Sequence, residues 1–185
     1  MLSQFGYYLA VAGRKFHMST KESTGRALLS QRPVTGEDQR FLLELYISTR
    51  ADEFAPFGWD QRQLEALLRM QFEAQRNSYR MYYPDAEQSI IQHERQDVGQ
   101  MTVDNSAGRV FLVDISILPQ FRNRGFGSSV ITSLLNDSQL QGKSVTLNVL
   151  PNNRALSLYS RLGFDKVGET DTHWEMVWAP SSSKR

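Results

Sequence analysis

The chain has 185 residues, 40% apolar and 22% charged, with a formal net charge of +1. That suffices for one domain with its own core, and it leaves no bulk charge to draw the chain to nucleic acid or to a membrane surface. There is no cysteine, which excludes disulfides, thiolate metal sites and a cysteine nucleophile; no apolar run approaches the ~20 residues of a membrane-spanning helix, and a cytoplasmic location is expected.

Residues 1–25 hold a short apolar run, FGYYLAVA, with Arg14 and Lys15 after it. A secretory leader has its positive charge before the apolar part. The segment is therefore expected to be an extension outside the core, partly disordered. A single domain is expected over 26–179, with a polar tail over 180–185. Residues 26–34 read as its first strand. Thr35, with Asp38 three residues on, is positioned to cap a helix whose apolar face carries Phe41, Leu42, Leu45 and Tyr46. Residues 54–59, FAPFGW, read as an aromatic loop. Asp60 caps a second helix with Leu64, Leu67, Leu68 and Phe72 in its buried stripe, running toward Tyr83.

Residues 87–93 and 98–105 read as strands joined by a polar turn at 94–97. Residues 109–118 form the next strand and 144–150 the fifth. Asn152 or Asn153 caps a short helix with Ala155, Leu158, Tyr159 and Leu162 on one face. Gly163 stops it. Residues 164–169 and 173–178 close the domain as a hairpin, whose edge is free to pair with a second subunit. His17, His93 and His173 lack metal-ligand spacing, and no metal site is expected.

The most informative stretch is 114–128, DISILPQFRNRGFGS. A strand leads into a loop bearing Arg122, Arg124, Gly125 and Gly127. Phe126, Val130, Ile131, Leu134 and Leu135 then recur at helical spacing. In such a strand–turn–helix, backbone N–H groups converge at the positive end of a helix dipole, where phosphate binds. Glycine admits ligand oxygens to the backbone, and the arginines can pair with them. The competing reading is a plain tight turn with its arginines in solvent. The pattern is neither a nucleotide P-loop nor a dinucleotide fingerprint, since no Gly-Lys-Ser/Thr follows and GxGxxG is absent.

A second stretch, 145–164, reads VTLNVLPNNRALSLYSRLGF. Together the two resemble the GNAT superfamily of acetyl-CoA-dependent N-acetyltransferases. Residues 122–127, RNRGFG, look like its R/Q-x-x-G-x-G/A pyrophosphate loop. Residues 153–159 with 162–164, NRALSLY and LGF, look like its later strand–helix motif. The resemblance covers roughly 32–178. It implies an α/β (α+β) fold: a mixed sheet of about six to seven strands, about four helices, and two parallel strands splayed apart at the cofactor site.

The resemblance also implies roles. Ile115, Ser116 and Ile117 would offer backbone hydrogen bonds to the pantetheine arm, as an added strand does. Asn123, Arg124, Gly125, Phe126, Gly127 and Ser128 would take the pyrophosphate, with Arg122. Asn153, or its neighbour Asn152, would touch the cofactor arm; either residue is equally well explained as a helix cap. Tyr159 matches the tyrosine that protonates the departing thiolate; otherwise it is a packed tyrosine. The first two helices would border the acceptor, with Phe57, Trp59, Tyr79, Tyr82 and Tyr83 as pocket aromatics or as packing.

Asp114 shares a strand face with Ser116 and is a candidate base, although a structural carboxylate paired with an arginine is the preferred reading. Phe111, Leu147 and Asn148 stand where relatives place a glutamate, and Glu53 is a weaker candidate. The expected activity is acetyl transfer to a primary amine, with a small molecule preferred over a peptide or protein amine. A non-catalytic CoA-binding module is the alternative. Expected partners are acetyl-CoA and the amine, with neither nucleic acid nor membrane, in a monomer or homodimer.

Overall fold

The structure, a computed structural model, describes residues 29–54, 58–105 and 108–181. The expected N-terminal extension, residues 26–28 of the first expected strand, Phe57 and tail residues 182–185 lie outside them. Seven strands form one sheet: β1 (Leu29–Pro33), β2 (Glu87–His93), β3 (Gln96–Asp104), β4 (Val110–Ile117), β5 (Val145–Val149), β6 (Asp165–Glu169) and β7 (Trp174–Trp178). Their order is β1-β2-β3-β4-β5-β7-β6. All neighbours are antiparallel except β4 and β5, which run parallel. The helices are α1 (Gln39–Phe54), α2 (Gln61–Tyr82), α3 (Phe126–Gln141) and α4 (Leu156–Arg161).

Local chemistry sets the ends of these elements. Asp60 accepts from the Gln63 amide at 2.9 Å, the expected start of α2. Asp38 accepts from the Thr35 amide at 2.7 Å and its hydroxyl at 3.1 Å, as expected, but the capped turn is a short 3-10 turn, Gly36–Asp38, leading into α1. The β2–β3 turn is tighter than the four residues expected. Glu94 and Arg95 alone form it, both at positive φ (50° and 67°), the backbone that a two-residue hairpin requires.

The core lies on both faces of the sheet. On one face, β3, β4 and β5 pack Met101, Leu112 and Leu147 against Val130, Ile131 and Leu134 of α3. On the other, a smaller cluster joins Leu42 of α1, Phe72 of α2 and Ile90 of β2. A partly buried charge cluster ties β1 to this second layer. Arg32 grips Asp38 through two nitrogens at 2.8 and 2.7 Å, and also reaches Asp97 of β3 at 2.9 Å.

Two features of the sheet prepare the site. Parallel pairing of β4 with β5 covers only Val110 to Leu112 against Val145 to Leu147, after which the strands part. On its other side β4 bulges: Leu112 faces Val103 and Asp114 faces Thr102, so Val113 is an extra residue. The bulge turns the strand over. Val110 and Leu112 point into the α3 core before it, and Ile115 and Ile117 do so after it. Asp114 and Ser116 are thereby delivered to the α1/α2 face.

Candidate active site

β4 ends at Ile117, and Pro119–Phe121 make a single 3-10 turn before the loop. Asn123 (φ 60°) and Gly125 (φ 81°) are both left-handed, and Gly125 is the N-cap of α3. The Ser129 amide donates to the Gly125 carbonyl at 2.9 Å, closing the first turn. The amides of Phe126, Gly127 and Ser128 precede that bond and lack helical partners by construction. A Cβ on Gly127 would meet only Leu158 Cδ2, at 3.6 Å. No protein packing demands glycine there, whereas backbone access by a ligand would. Arg122 donates through Nε to the Ile117 carbonyl at 3.1 Å, and Arg124 lies 5.2 Å over the Phe121 ring. Both contacts hold the guanidinium stems beside the loop. The Phe126 side chain is buried against Phe121 and His93, so only its backbone faces the loop.

On the other side of β4, a cavity of about 400 Å³ lies between the sheet and α1/α2. Asp114 and Ser116 rise into it from β4, with Gln100 and Thr102 from β3 and Gln88 from β2. Tyr46 of α1 and Tyr79 of α2 face them, with Tyr83 stacked on Phe111 at 5.4 Å. Burial pushes the Asp114 carboxyl up to about 6, with the Gln100 amide and the Arg50 charge partly offsetting it. Gln100 Nε2 donates to Asp114 Oδ2. The oxygen of the same amide accepts from Gln88 Nε2 and Thr102 Oγ1, each at 3.1 Å. The expected arginine pairing of Asp114 is therefore corrected: its partner is a glutamine held by two others.

Tyr159 of α4 lies near enough to β4 to feel the charge of Asp114. Its ring is buried and packs edge-on to Phe164 at 5.7 Å. Burial first, and then the Asp114 charge, raise its hydroxyl to about 12. The same carboxylate raises Tyr46 and Tyr79, after burial. Three phenols thus surround one acid. Among the described residues, the Tyr159 hydroxyl has no hydrogen-bond partner.

The remaining expectations divide. Asn153 Oδ1 accepts from the Ala155 amide at 2.8 Å and its carbonyl from Leu156 at 3.1 Å, so it organises the turn before α4. The helix itself starts later than expected, with Ala155 as N-cap. Asn152 is exposed in that turn. Trp59 packs on Phe54 at 6.4 Å and Tyr82 is 72% exposed; neither lines the cavity. Glu53 is an exposed partner of Arg50. Among the described residues no group of acids and histidines is arranged to hold a metal, and no helix is long and apolar enough to cross a membrane. Sequence reasoning missed Gln88, Gln100, Thr102 and Tyr46. The signal for the first three was polar residues at alternate positions in strands otherwise rich in apolar ones.

Two parallel strands that part beside a glycine loop at a helix N-terminus decide the fold. The chain has the GNAT fold. The family model described as FR47-like protein matches residues 90–176, which include the loop and Tyr159. No curated protein matches the chain by sequence. Among solved structures, a PaiA N-acetyltransferase from Thermoplasma acidophilum in complex with coenzyme A is similar, at 14% identity and TM-score 0.64, covering 82% of this chain and 99% of that one. An acetyltransferase from Thermus thermophilus is similar at 20% identity and TM-score 0.59, covering 82% and 96%. A chimera of spermidine N-acetyltransferase from Vibrio cholerae and hSSAT is similar at 18% identity and TM-score 0.57, covering 82% and 95%. Seven strands and four helices fulfil the expected GNAT architecture, splayed strands included.

Proposed function

We propose that the protein is an N-acetyltransferase that moves the acetyl group of acetyl-CoA to the primary amine of a small molecule. The observation that carries this is the parting of β4 from β5 beside the glycine loop, with Asp114 on β4 and Tyr159 on α4 close enough to act on each other's charge. The loop amides from Phe126 to Ser128 and the Arg122 and Arg124 side chains suit a pyrophosphate. The unpaired edge of β4 from Ile115 to Ile117 suits the amide groups of a pantetheine arm; the Ile117 carbonyl, already accepting from Arg122, keeps a second lone pair.

The chemistry follows from the two side chains. An ammonium cannot attack, so Asp114, ionised above about pH 6, takes a proton from it directly or through water. The freed nitrogen bonds to the thioester carbonyl carbon and loses its second proton to solvent, and the carbon–sulfur bond breaks. Tyr159 gives its phenolic proton to the departing sulfur and regains one from solvent. The products are the amide, free CoA thiol and one proton. Burial keeps the phenol protonated at neutral pH, so its O–H is in place to hydrogen-bond the sulfur as negative charge develops there. A cavity of about 400 Å³ lined by Tyr46, Tyr79 and Tyr83 suits a small acceptor. On this reading the protein acts in the cytoplasm, as a monomer or homodimer.

The test is calorimetric titration with acetyl-CoA, followed by a thiol-release assay with a panel of amines. Saturable binding with amine-dependent release is the expected outcome. Binding without release from any amine would favour a CoA-binding module, and no binding would remove the cofactor site.

A further inference from the structure

The charges lining the cavity are unequal. Among the described residues, Asp114 is the sole acid in its wall, and Arg76 and Arg80 are the sole bases. They stand on opposite walls. Asp114 rises from β4, whereas the arginines come from α2, on the stripe that also carries Phe72, Tyr79 and Tyr83. With Asp114 ionised, the wall carries one more positive charge than negative. A polycation would need a second acid for its second ammonium, and the wall holds none. Such a ligand would also meet two guanidinium groups.

We infer that the acceptor is a monoamine that also carries a carboxylate, its amine set against Asp114 and its carboxylate against Arg76 and Arg80. This rests on the acetyltransferase reading for the direction of the amine. The arginines have capacity for it. Arg80 makes no ion pair among the described residues. Arg76 meets Glu73 through one nitrogen at 3.3 Å, with Glu73 more than half exposed, and rests 5.4 Å over the Phe72 ring. That surface pair contributes little, and a ligand carboxylate competes with it readily. Phe72, Tyr79 and Tyr83 add phenyl and phenol surface to the same cavity lining, which suits an apolar or aromatic body.

The experiment uses three pairs: leucine and isoamylamine, phenylalanine and phenethylamine, tyrosine and tyramine, with spermidine added. Binding to the CoA-saturated protein is read by calorimetry, and turnover by thiol release. In at least one pair the carboxylated member should bind tenfold or more tightly, and Arg76→Gln combined with Arg80→Gln should reduce that ratio to about twofold. Equal affinity within every pair, a preference for the plain amine or for spermidine, or no binding by any compound would overturn the inference. So would a preference that survives the double substitution. Carboxylate-selective binding with no thiol release would keep the acceptor class and refute the acetyltransferase reading. Release without carboxylate preference would do the reverse.

Discussion

Gln100 of β3 and Asp114 of β4 sit diagonally across the two strands with their side chains locked together. Gln100 gives its amide N–H to the carboxylate and receives two hydrogen bonds on its oxygen. Those two donors, Gln88 and Thr102, fix which end of the amide points at Asp114. The carboxylate is thus held by an oriented neutral group, which keeps it partly ionisable in a cavity that opposes its charge.

Replacing Gln100 by Leu removes that donor. Asp114 then keeps Arg50 of α1 as its favourable charge, with Tyr46, Tyr79 and Tyr159 around it. Its pKa should rise further, because the lost bond favoured the charged form. The acidic limb of kcat/KM, expected near pH 6 in the parent, should move up by about one unit or more, a hydrogen bond to a charged group being worth about 1.5–3 kcal/mol. An unmoved limb would dissociate Asp114 from proton removal.

For Tyr159→Phe, kcat should fall by about 100-fold or more, while acetyl-CoA affinity stays close to that of the parent. The buried ring still packs on Phe164, so the fold should persist. Steady-state kinetics with one fixed amine decides it. An unaltered kcat would leave the tyrosine as packing alone.

Gly127 and Gly125 should separate binding from folding. Gly127→Ala has room beside Leu158 and adds a better helix former, so Tm should hold or rise. Its methyl would stand where a phosphate approaches, and acetyl-CoA should bind about tenfold more weakly, a loss of about 1.4 kcal/mol. Gly125→Ala forces an alanine to φ 81°, which should cost about 1–2 kcal/mol of stability and lower Tm accordingly. Calorimetry and thermal melts on both variants test the contrast.

Arg32→Met should destabilise the fold by about 3 kcal/mol, because it strands the buried Asp38 carboxylate. The pairing with Arg32 holds Asp38 well below the usual carboxylate range. The stability it gives is therefore complete above about pH 4 and is lost as pH falls below that. Urea melts from pH 7 down should show the gap between parent and variant closing in acid. A gap constant with pH would assign the loss to packing.

The elements that carry the loop were legible because apolar spacing and glycine placement are local properties. Phe126, Val130, Ile131 and Leu134 announce α3, and Asp60 announces α2. Asp114 could be named as a candidate from its strand face, but its neighbours were not legible, because they depend on how strands align. Nothing local in Gln100 says that Asp114 will lie diagonally across from it. Gly99 shows the same limit. A Cβ there would strike the Ser116 carbonyl at 2.3 Å, so its glycine serves a strand seventeen residues away, a close approach invisible before β3 and β4 are paired. The Val98 and Val113 bulges, too, appear only in the register.

The extra residue at Val113 makes the cavity face of this protein a question of parity. Leu112 and Asp114 are two positions apart in the chain, yet they pair with the adjacent Val103 and Thr102 and so point to opposite faces. Were the bulge ironed out with Val113 kept in the ladder, Asp114 and Ser116 would be driven into the apolar layer under α3, while Ile115 and Ile117 would replace them in the cavity. Loss of the Val113 codon itself would instead leave a regular ladder, with every downstream side chain on its present face and only the local twist of the bulge removed. Homologous chains can therefore dispense with this residue and keep the same cavity lining, whereas one residue more or fewer within a ladder that has no bulge would turn that lining over.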